Sequence, residues 1–389
     1  MIFTLEALKA QHGDCLLLHY GKDDDPRLIL VDGGPSPVFK ESLLPRLEEL
    51  RAARAGEGSL PLDMLMVSHI DDDHIGGVLK LTQRLLEEKD DNVPPLVDID
   101  TIWHNSFDDI TGKGEALGSP ASITASLGEV LPDERLHQSA LVLASVGQGR
   151  TLRDQGKVLA NRVNSPFKDL VKRGKNAKDV ERPDGLTLTV IGPSEEELAA
   201  LQKAWDKEVE KLKKGKPKEK AQAAAFVDNA VANLSSIIVL AQAKTGKKTR
   251  TILLTGDARG DFVLSGLEAA GLLEKGGSMH VDVLKMPHHG SIRNVDTPFF
   301  ERIRADHYVF SANGKFGNPD PPTLEMLAKA RKDDSDYTIH LTTAPEDCKD
   351  EYPAAKVRKI LNGTKARINT PAKGKLSLRV DLGAKLPED

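Results

Sequence analysis

The chain has 389 residues, with 54 Lys+Arg against 59 Asp+Glu and a formal net charge of −5. Its 39 % hydrophobic and 29 % charged residues suit a soluble globular protein and argue against general disorder and against nucleic-acid binding by overall basicity. Two cysteines, Cys15 and Cys348, exclude a disulfide framework or a cysteine-rich zinc site. No apolar run reaches the roughly 20 residues of a membrane span. The N-terminus shows neither a basic leader segment nor a small-residue cleavage site, so the expected compartment is the cytoplasm.

In chain order, Ile2–Leu8, Cys15–Tyr20 and Leu28–Val31 read as short apolar strands separated by Gly, Asp and Pro, and Asp32-Gly33-Gly34 ends the third. Leu and charged residues at helical spacing predict a helix over Lys40–Ala55. Leu62–Ser68 reads as a buried strand that runs into His69-Ile70-Asp71-Asp72-Asp73-His74-Ile75-Gly76-Gly77, with a helix restarting over Val78–Lys89. Val97–Trp103 is an expected strand ending at His104, and the stretch from Phe107 to Arg182 is less regular. Leu186–Ile191 returns to strand character, and a charged helix over Glu195–Leu212 leads into the basic loop Lys213–Lys220. Ser236–Ala243 and Thr249–Leu254 read as a strand pair ending at Thr255-Gly256-Asp257. A helix over Phe262–Leu273 follows, then a strand His280–Lys285 that ends at Met286-Pro287-His288-His289-Gly290-Ser291. Another strand, His307–Ser311, precedes Ala312–Pro322 and a helix over Thr323–Asp333, and there is no fixed-period repeat.

The chemistry lies at the strand ends. His69–His74 supplies two imidazoles and three carboxylates in one short turn, a donor set suited to Zn²⁺, Mn²⁺ or Fe²⁺. So many donors would crowd one divalent ion, and two ions sharing ligands is the natural inference. Asp257 and His289 each follow an apolar strand, and strand ends converge in space, so distant residues complete one site. An Asp-rich turn alone reads as helix capping or surface, and a lone His as a packed or surface residue. It is their joint occurrence that points to a metal centre.

These residues resemble the metallo-β-lactamase-fold hydrolases, and most of all the hydrolase domain of the competence protein ComEC and its soluble relatives. The matching segments are Gln11–Asp14, Ile29–Gly34, Ser68–Gly77, Leu188–Pro193, Asn233–Leu240, Leu253–Asp257 and Leu284–Ser291. The resemblance implies an α+β fold, a four-layer αββα sandwich with metals at one edge of the facing sheets. It would form a single hydrolase domain over 1–389, with insertions at 107–182 and 195–227. It implies that His69 and Asp71 bind one metal, that Asp73, His74 and His289 bind the other, and that Asp257 bridges them. Asp71 stands where many relatives have a second histidine, which hardens the site toward Mn²⁺ relative to Zn²⁺. His104 lies where a further first-metal ligand would sit and reads equally as a surface or core histidine. Asp32 is expected to hold the ligand loops by hydrogen bonds, and Asp72 to point outward.

Asp73 and His288 are the candidate catalytic residues, with His288 facing substrate to protonate a leaving group or bind a phosphate oxygen. Ser291 and Asn313 read first as turn or cap residues and second as substrate contacts. The expected function is hydrolysis by a water activated between two divalent ions (Zn²⁺ or Mn²⁺), on a phosphodiester, either nucleic acid (DNA or RNA) or smaller. Lys/Arg clusters at Lys172–Lys178 and Lys211–Lys220 offer phosphate contacts or ordinary solvated surface. The alternatives are a hydrolase of lactones, thioesters or β-lactams, and a catalytically inactive, metal-stabilised binding module.

Overall fold

The computed structural model describes residues 1–106, 109–110, 147–175, 177–203, 235–349 and 351–386. Strand periodicity organises it. In β1 (Ile2–Leu8), β2 (Leu16–Gly21) and β3 (Pro26–Val31), the residues Phe3, Leu5, Leu16, Leu18, Ile29 and Val31 face one core, while Leu17, Leu28 and Leu30 face another. The same alternation divides β10 (Ile238–Thr245): Val239 and Ala241 join the first core, and Ile238 and Leu240 a third. Side chains on successive strand residues point to opposite faces, so strands apolar on both faces must be covered on both sides.

Two sheets meet that demand. The first runs β16 (Ser377–Asp381), β1, β2, β3, β5 (Met64–Met66), β6 (Val97–Trp103), β4 (Leu60–Leu62), with β7 (Ala160–Val163) also paired to β6. The second runs β15 (Arg367–Asn369), β14 (Thr338–Leu341), β13 (Ile303–Phe310), β12 (Met279–Lys285), β11 (Lys248–Leu254), β10, β9 (Leu186–Gly192), β8 (Val180–Arg182). The core shared by both sheets lies between them. Helices α1 (Leu44–Arg54) and α2 (Asp72–Asp90) cover the outer face of the first, and helices at Gly260–Ala269, Pro321–Ala330 and Ala354–Asn362 that of the second. The molecule is therefore the α+β, four-layer αββα sandwich that the resemblance implies. Within 107–182, the described β7 and β8 extend one sheet each.

Two expectations need correction. The apolar run Leu62–Ser68 is broken at Asp63, whose carboxylate takes an ion pair from Arg27, so β4 and β5 are separate three-residue strands. Helix α2 begins at Asp72, six residues before the expected start, and so carries Asp73 and His74 in its first turn. Gly76 and Gly77 are not helix breakers here. A Cβ at Gly77 would sit 2.0 Å from the Gly33 carbonyl oxygen, so glycine lets α2 press against the Asp32-Gly33-Gly34 loop. The part of the expected Glu195–Leu212 helix beyond residue 203 and the basic Lys211–Lys220 cluster lie outside the described residues.

β3, β5 and β6 are mutually parallel, as are β11, β12 and β13. Their C-terminal ends carry Asp32, Ser68–His69, His104, Asp257, His288–His289 and Asn313 respectively. The sheets are tied at this edge by Ile237 N–H donating to Ser68 O at 2.8 Å and Ser311 Oγ donating to Gly13 O at 2.6 Å.

Candidate metal centre

The residues after β5 are held by Asp32. Its Oδ1 accepts the Ser68 backbone N–H at 2.7 Å, and its Oδ2 accepts Ser68 Oγ at 2.7 Å and His74 Nδ1 at 2.9 Å. Asp32 sits at φ 59°, a left-handed conformation that Asp tolerates better than most residues. A carboxylate can only accept, so His74 carries its proton on Nδ1 and presents Nε2 to the centre. This is the supporting role expected of Asp32. Ser68 Oγ likewise contacts His69 Nδ1 at 3.1 Å and leaves His69 Nε2 facing inward.

Asp257 lies between the histidines. Its Oδ1 is 3.2 Å from His74 Nε2 and 3.5 Å from His289 Nε2, while its Oδ2 is 3.8 Å from His69 Nε2 and 3.5 Å from His288 Nε2. Asp73 Oδ2 reaches His289 Nε2 at 3.4 Å and His74 Nε2 at 3.9 Å, and Asp71 Oδ2 reaches His69 Nε2 at 3.5 Å. His288 and His289 stand at φ 46° and 56°, and this left-handed turn directs both rings toward Asp257 although they are adjacent in sequence. His289 is buried, whereas His288 keeps 34 % of its side chain exposed.

Four donors, Asp14, His74, Asp257 and His289, lie mutually within 4.8 Å, as do His69, Asp73 and His74. Asp71 borders His69 but falls outside both groups. Asp72 instead accepts from Gln148 Nε2 at 2.9 Å. His104 is buried, with Nε2 3.3 Å from Gly149 O, Nδ1 without a hydrogen bond, and burial lowering its pKa to about 4. It lies outside both donor groups. Ser291 Oγ accepts from Arg293 N at 3.3 Å and Asn313 Oδ1 from Lys315 N at 3.1 Å, contacts that organise their turns. Of the basic cluster after β7, Lys172 pairs with Glu195 at 2.9 Å, and Arg173 donates to Val190 O at 3.0 Å.

Three contributors were not singled out from sequence. Asp14 Oδ1 lies 3.2 Å from His289 Nδ1, and its Oδ2 contacts the ammonium of Lys285, a lysine buried at the end of β12. A lysine directly after the apolar Val283-Leu284 pair at the end of β12 was the readable signal. Burial alone would raise the Asp14 carboxyl, but Lys285 and His289 outweigh it and hold it below the usual carboxylate range. The third is His12, whose pKa burial lowers to about 4 while the nearby Asp73 carboxylate acts to raise it.

The charge pattern of the centre calls for cations. Burial opposes ionisation throughout, yet His74 and His289 hold Asp73 low, His288, His74 and His289 hold Asp257 low, and Asp257 lifts His74 and His289, the latter to about 9. Buried carboxylates without matching cations are expensive. His69 Nε2, His74 Nε2, His289 Nε2, Asp71 Oδ1 and Asp257 Oδ1 are all buried and make no hydrogen bond. Buried polar atoms are otherwise almost always satisfied. Orphaned imidazole nitrogens and carboxylate oxygens at one edge of the sandwich are the donor chemistry of Zn²⁺ or Mn²⁺, so these residues fit divalent metal binding.

Residues 12–85 match the model of the metallo-beta-lactamase superfamily, a segment that includes Asp14, Asp32 and the His69–His74 run. No curated protein matches the chain. The superfamily match and the buried His/Asp cluster together fit a metal-dependent hydrolase. Among the described residues, no helix is long and apolar enough to cross a membrane.

Proposed function

We propose that the chain is a dinuclear metal-dependent phosphodiesterase of the ComEC-like kind. The observation that carries the dinuclear reading is the two-sided engagement of Asp257, with one oxygen toward His74 and His289 and the other toward His69. In this reading His69 and Asp71 would hold one ion, Asp73, His74 and His289 the other, and Asp257 would contribute to both. Asp14 holds His289 from behind, and its Lys285 partner marks it as a supporting carboxylate. Bound divalent ions supply Lewis acidity toward a phosphoryl oxygen and lower the pKa of water from 15.7 to roughly 7.

The chain's own groups do the rest. Asp32 fixes the His74 tautomer through Nδ1, which leaves Nε2 as the ligand atom, and Asp14 stands 3.2 Å from His289 Nδ1 on the side away from Asp257. Asp73, in the first turn of α2 beside His289 Nε2, would orient the attacking water. His288, partly exposed beside Asp257, hydrogen-bonds a phosphoryl oxygen or returns a proton to the leaving alkoxide. Arg293 and Lys315, both exposed on loops flanking this edge, favour an anionic substrate over a neutral lactone.

The test is a panel of bis-p-nitrophenyl phosphate, single-stranded DNA, a thioester and a chromogenic β-lactam, offered to Mn²⁺- and Zn²⁺-loaded protein and to Asp257→Ala. Phosphodiester turnover in the wild type that disappears in Asp257→Ala is the expected result. Turnover confined to the lactam or thioester refutes the substrate class. Bound metal without turnover on any substrate would favour a binding module.

A further inference from the structure

The turn after β13 carries an apolar ring that the fold has no structural reason to hold in water. Phe316 is 62 % exposed, more than any other large hydrophobic among the described residues. Its turn is nevertheless well ordered. Gly314 N donates to Asn318 O at 3.1 Å, Gly317 N to Gly314 O at 3.0 Å, and Lys315 N to Asn313 Oδ1 at 3.1 Å. Gly314 and Gly317 take φ values of 80° and 86°, open to glycine without strain. A Cβ at Gly314 would also sit 2.8 Å from the Tyr352 side chain, so the turn is seated on the core.

The same turn is fastened to two of the loops around the candidate metal centre. Asp320 N donates to the carbonyl of Gly290, the residue after His289, at 3.1 Å, and Asp320 Oδ2 accepts Ile292 N at 2.8 Å. Ser311, which leads into the turn, donates to Gly13 O. The His12 ring, which feels the Asp73 carboxylate, stands perpendicular to Phe316 at 5.1 Å between centroids. Phe316 therefore packs on the β1–β2 turn, whose Asp14 N donates to Asp73 O at 3.2 Å. The Lys315 ammonium lies 4.9 Å from the Phe316 centroid. An exposed cation–π contact of this kind is weak, and a phosphate oxygen competes for the ammonium by a stronger charge-assisted bond.

We infer that Phe316 and Lys315 form a substrate platform, with Phe316 stacking an unpaired nucleobase and Lys315 contacting a phosphate of the same chain. This rests on the phosphodiesterase reading and narrows it to nucleotide-bearing diesters whose bases are free to stack. A base inside a duplex has both faces covered by its neighbours and offers nothing to a single protruding ring. Stacking on one aromatic side chain is tolerant of sequence. The site would thus select single strands or nucleotide esters by the presence of a base, not by its identity.

The test compares thymidine 5′-p-nitrophenyl phosphate with methyl p-nitrophenyl phosphate, which share the leaving group and differ in the base. In wild type the thymidine ester should be preferred in kcat/KM. Phe316→Ala and Phe316→Leu should reduce that preference about 5- to 30-fold, through KM more than kcat, and Phe316→Tyr should retain it. A loss shared equally by both esters, or full preference in Phe316→Leu, overturns the platform. A second measurement is independent of turnover: the fluorescence of Phe316→Trp should be quenched by thymidine 5′-monophosphate and not by inorganic phosphate. If the wild type hydrolyses neither ester, the phosphodiesterase reading falls, and the quenching result still decides the platform. Absence of quenching removes it.

Discussion

Replacing Asp32 by asparagine tests the logic of the centre with a change of one atom. In the wild type, Asp32 Oδ2 accepts from His74 Nδ1 at 2.9 Å and from Ser68 Oγ at 2.7 Å. In Asp32→Asn, Oδ1 can still accept the Ser68 backbone N–H, and asparagine tolerates the φ of 59°. The amide nitrogen then occupies the Oδ2 position and can only donate. The Ser68 hydroxyl can rotate to accept, but His74 Nδ1 must give up its proton, and the imidazole carries it on Nε2. That proton points at Asp257 Oδ1, 3.2 Å away, where a ligand lone pair is needed. Loss of an outer partner of a metal-bound histidine typically lowers affinity by about 10- to 100-fold, or about 1.4 to 2.7 kcal/mol. A reversed tautomer places Asp32→Asn at the upper end. Asp32→Ala differs in kind, because it strands three buried donors at about 1 kcal/mol or more each and should destabilise the fold by about 3 kcal/mol or more. The assays are calorimetric titration of metal-free protein with Mn²⁺ or Zn²⁺, ¹⁵N NMR of the imidazoles, and thermal melting. Asp32→Asn should retain most of the wild-type Tm, show His74 protonated on Nε2, and bind metal weakly. Wild-type metal affinity in Asp32→Asn would refute the tautomer argument.

Two further predictions concern the surroundings. Lys285→Met removes the cation from the buried Asp14 carboxylate while keeping the side-chain volume, and breaking such a pair from one side costs about 3 to 5 kcal/mol. The double change Asp14→Asn with Lys285→Met should recover part of that in a denaturant melt, and no recovery would show that the charge is not the cause. His340 offers a pH test away from the metal. It is buried, accepts Asn369 Nδ2 on Nδ1 at 3.0 Å, donates Nε2–H to His307 Nδ1 at 3.0 Å, and has its pKa lowered by burial and by His307 to about 3. A histidine with a depressed native pKa leaves stability intact above its unfolded pKa near 6.5 and loses it as pH falls toward 3. Its share is about 3 kcal/mol at pH 4. His340→Gln should flatten the stability profile between pH 6.5 and 4, and an unchanged acid limb would place that loss elsewhere.

The sequence by itself showed most of the central strands, because short apolar runs bounded by Gly, Asp or Pro, such as Leu16–Tyr20 and Val239–Ala243, read as strands buried on both faces; it neither split β4 from β5 nor revealed β7, β8 and β14 to β16. It also offered the donor types, since the His69–His74 run, Asp257 and His288–His289 each follow an apolar strand, and their joint occurrence reads as one ligand set where each alone reads as a turn. Local pattern misjudged the start of α2, because Gly76-Gly77 looks like a stop when only the approach of the Asp32-Gly33-Gly34 loop reveals it as a packing requirement. What the tertiary structure alone decided was proximity. Asp14 and Lys285 are far apart in the chain and meet only because the turn between β1 and β2 and the end of β12 reach the same edge of the sandwich. The two-sided placement of Asp257, the position of His104 beside Gly149 and the projection of Phe316 over His12 are of the same kind. Periodicity is a property of neighbours in sequence and can be read there. Which side chains share an edge depends on how two sheets are ordered and docked, and no local pattern encodes that.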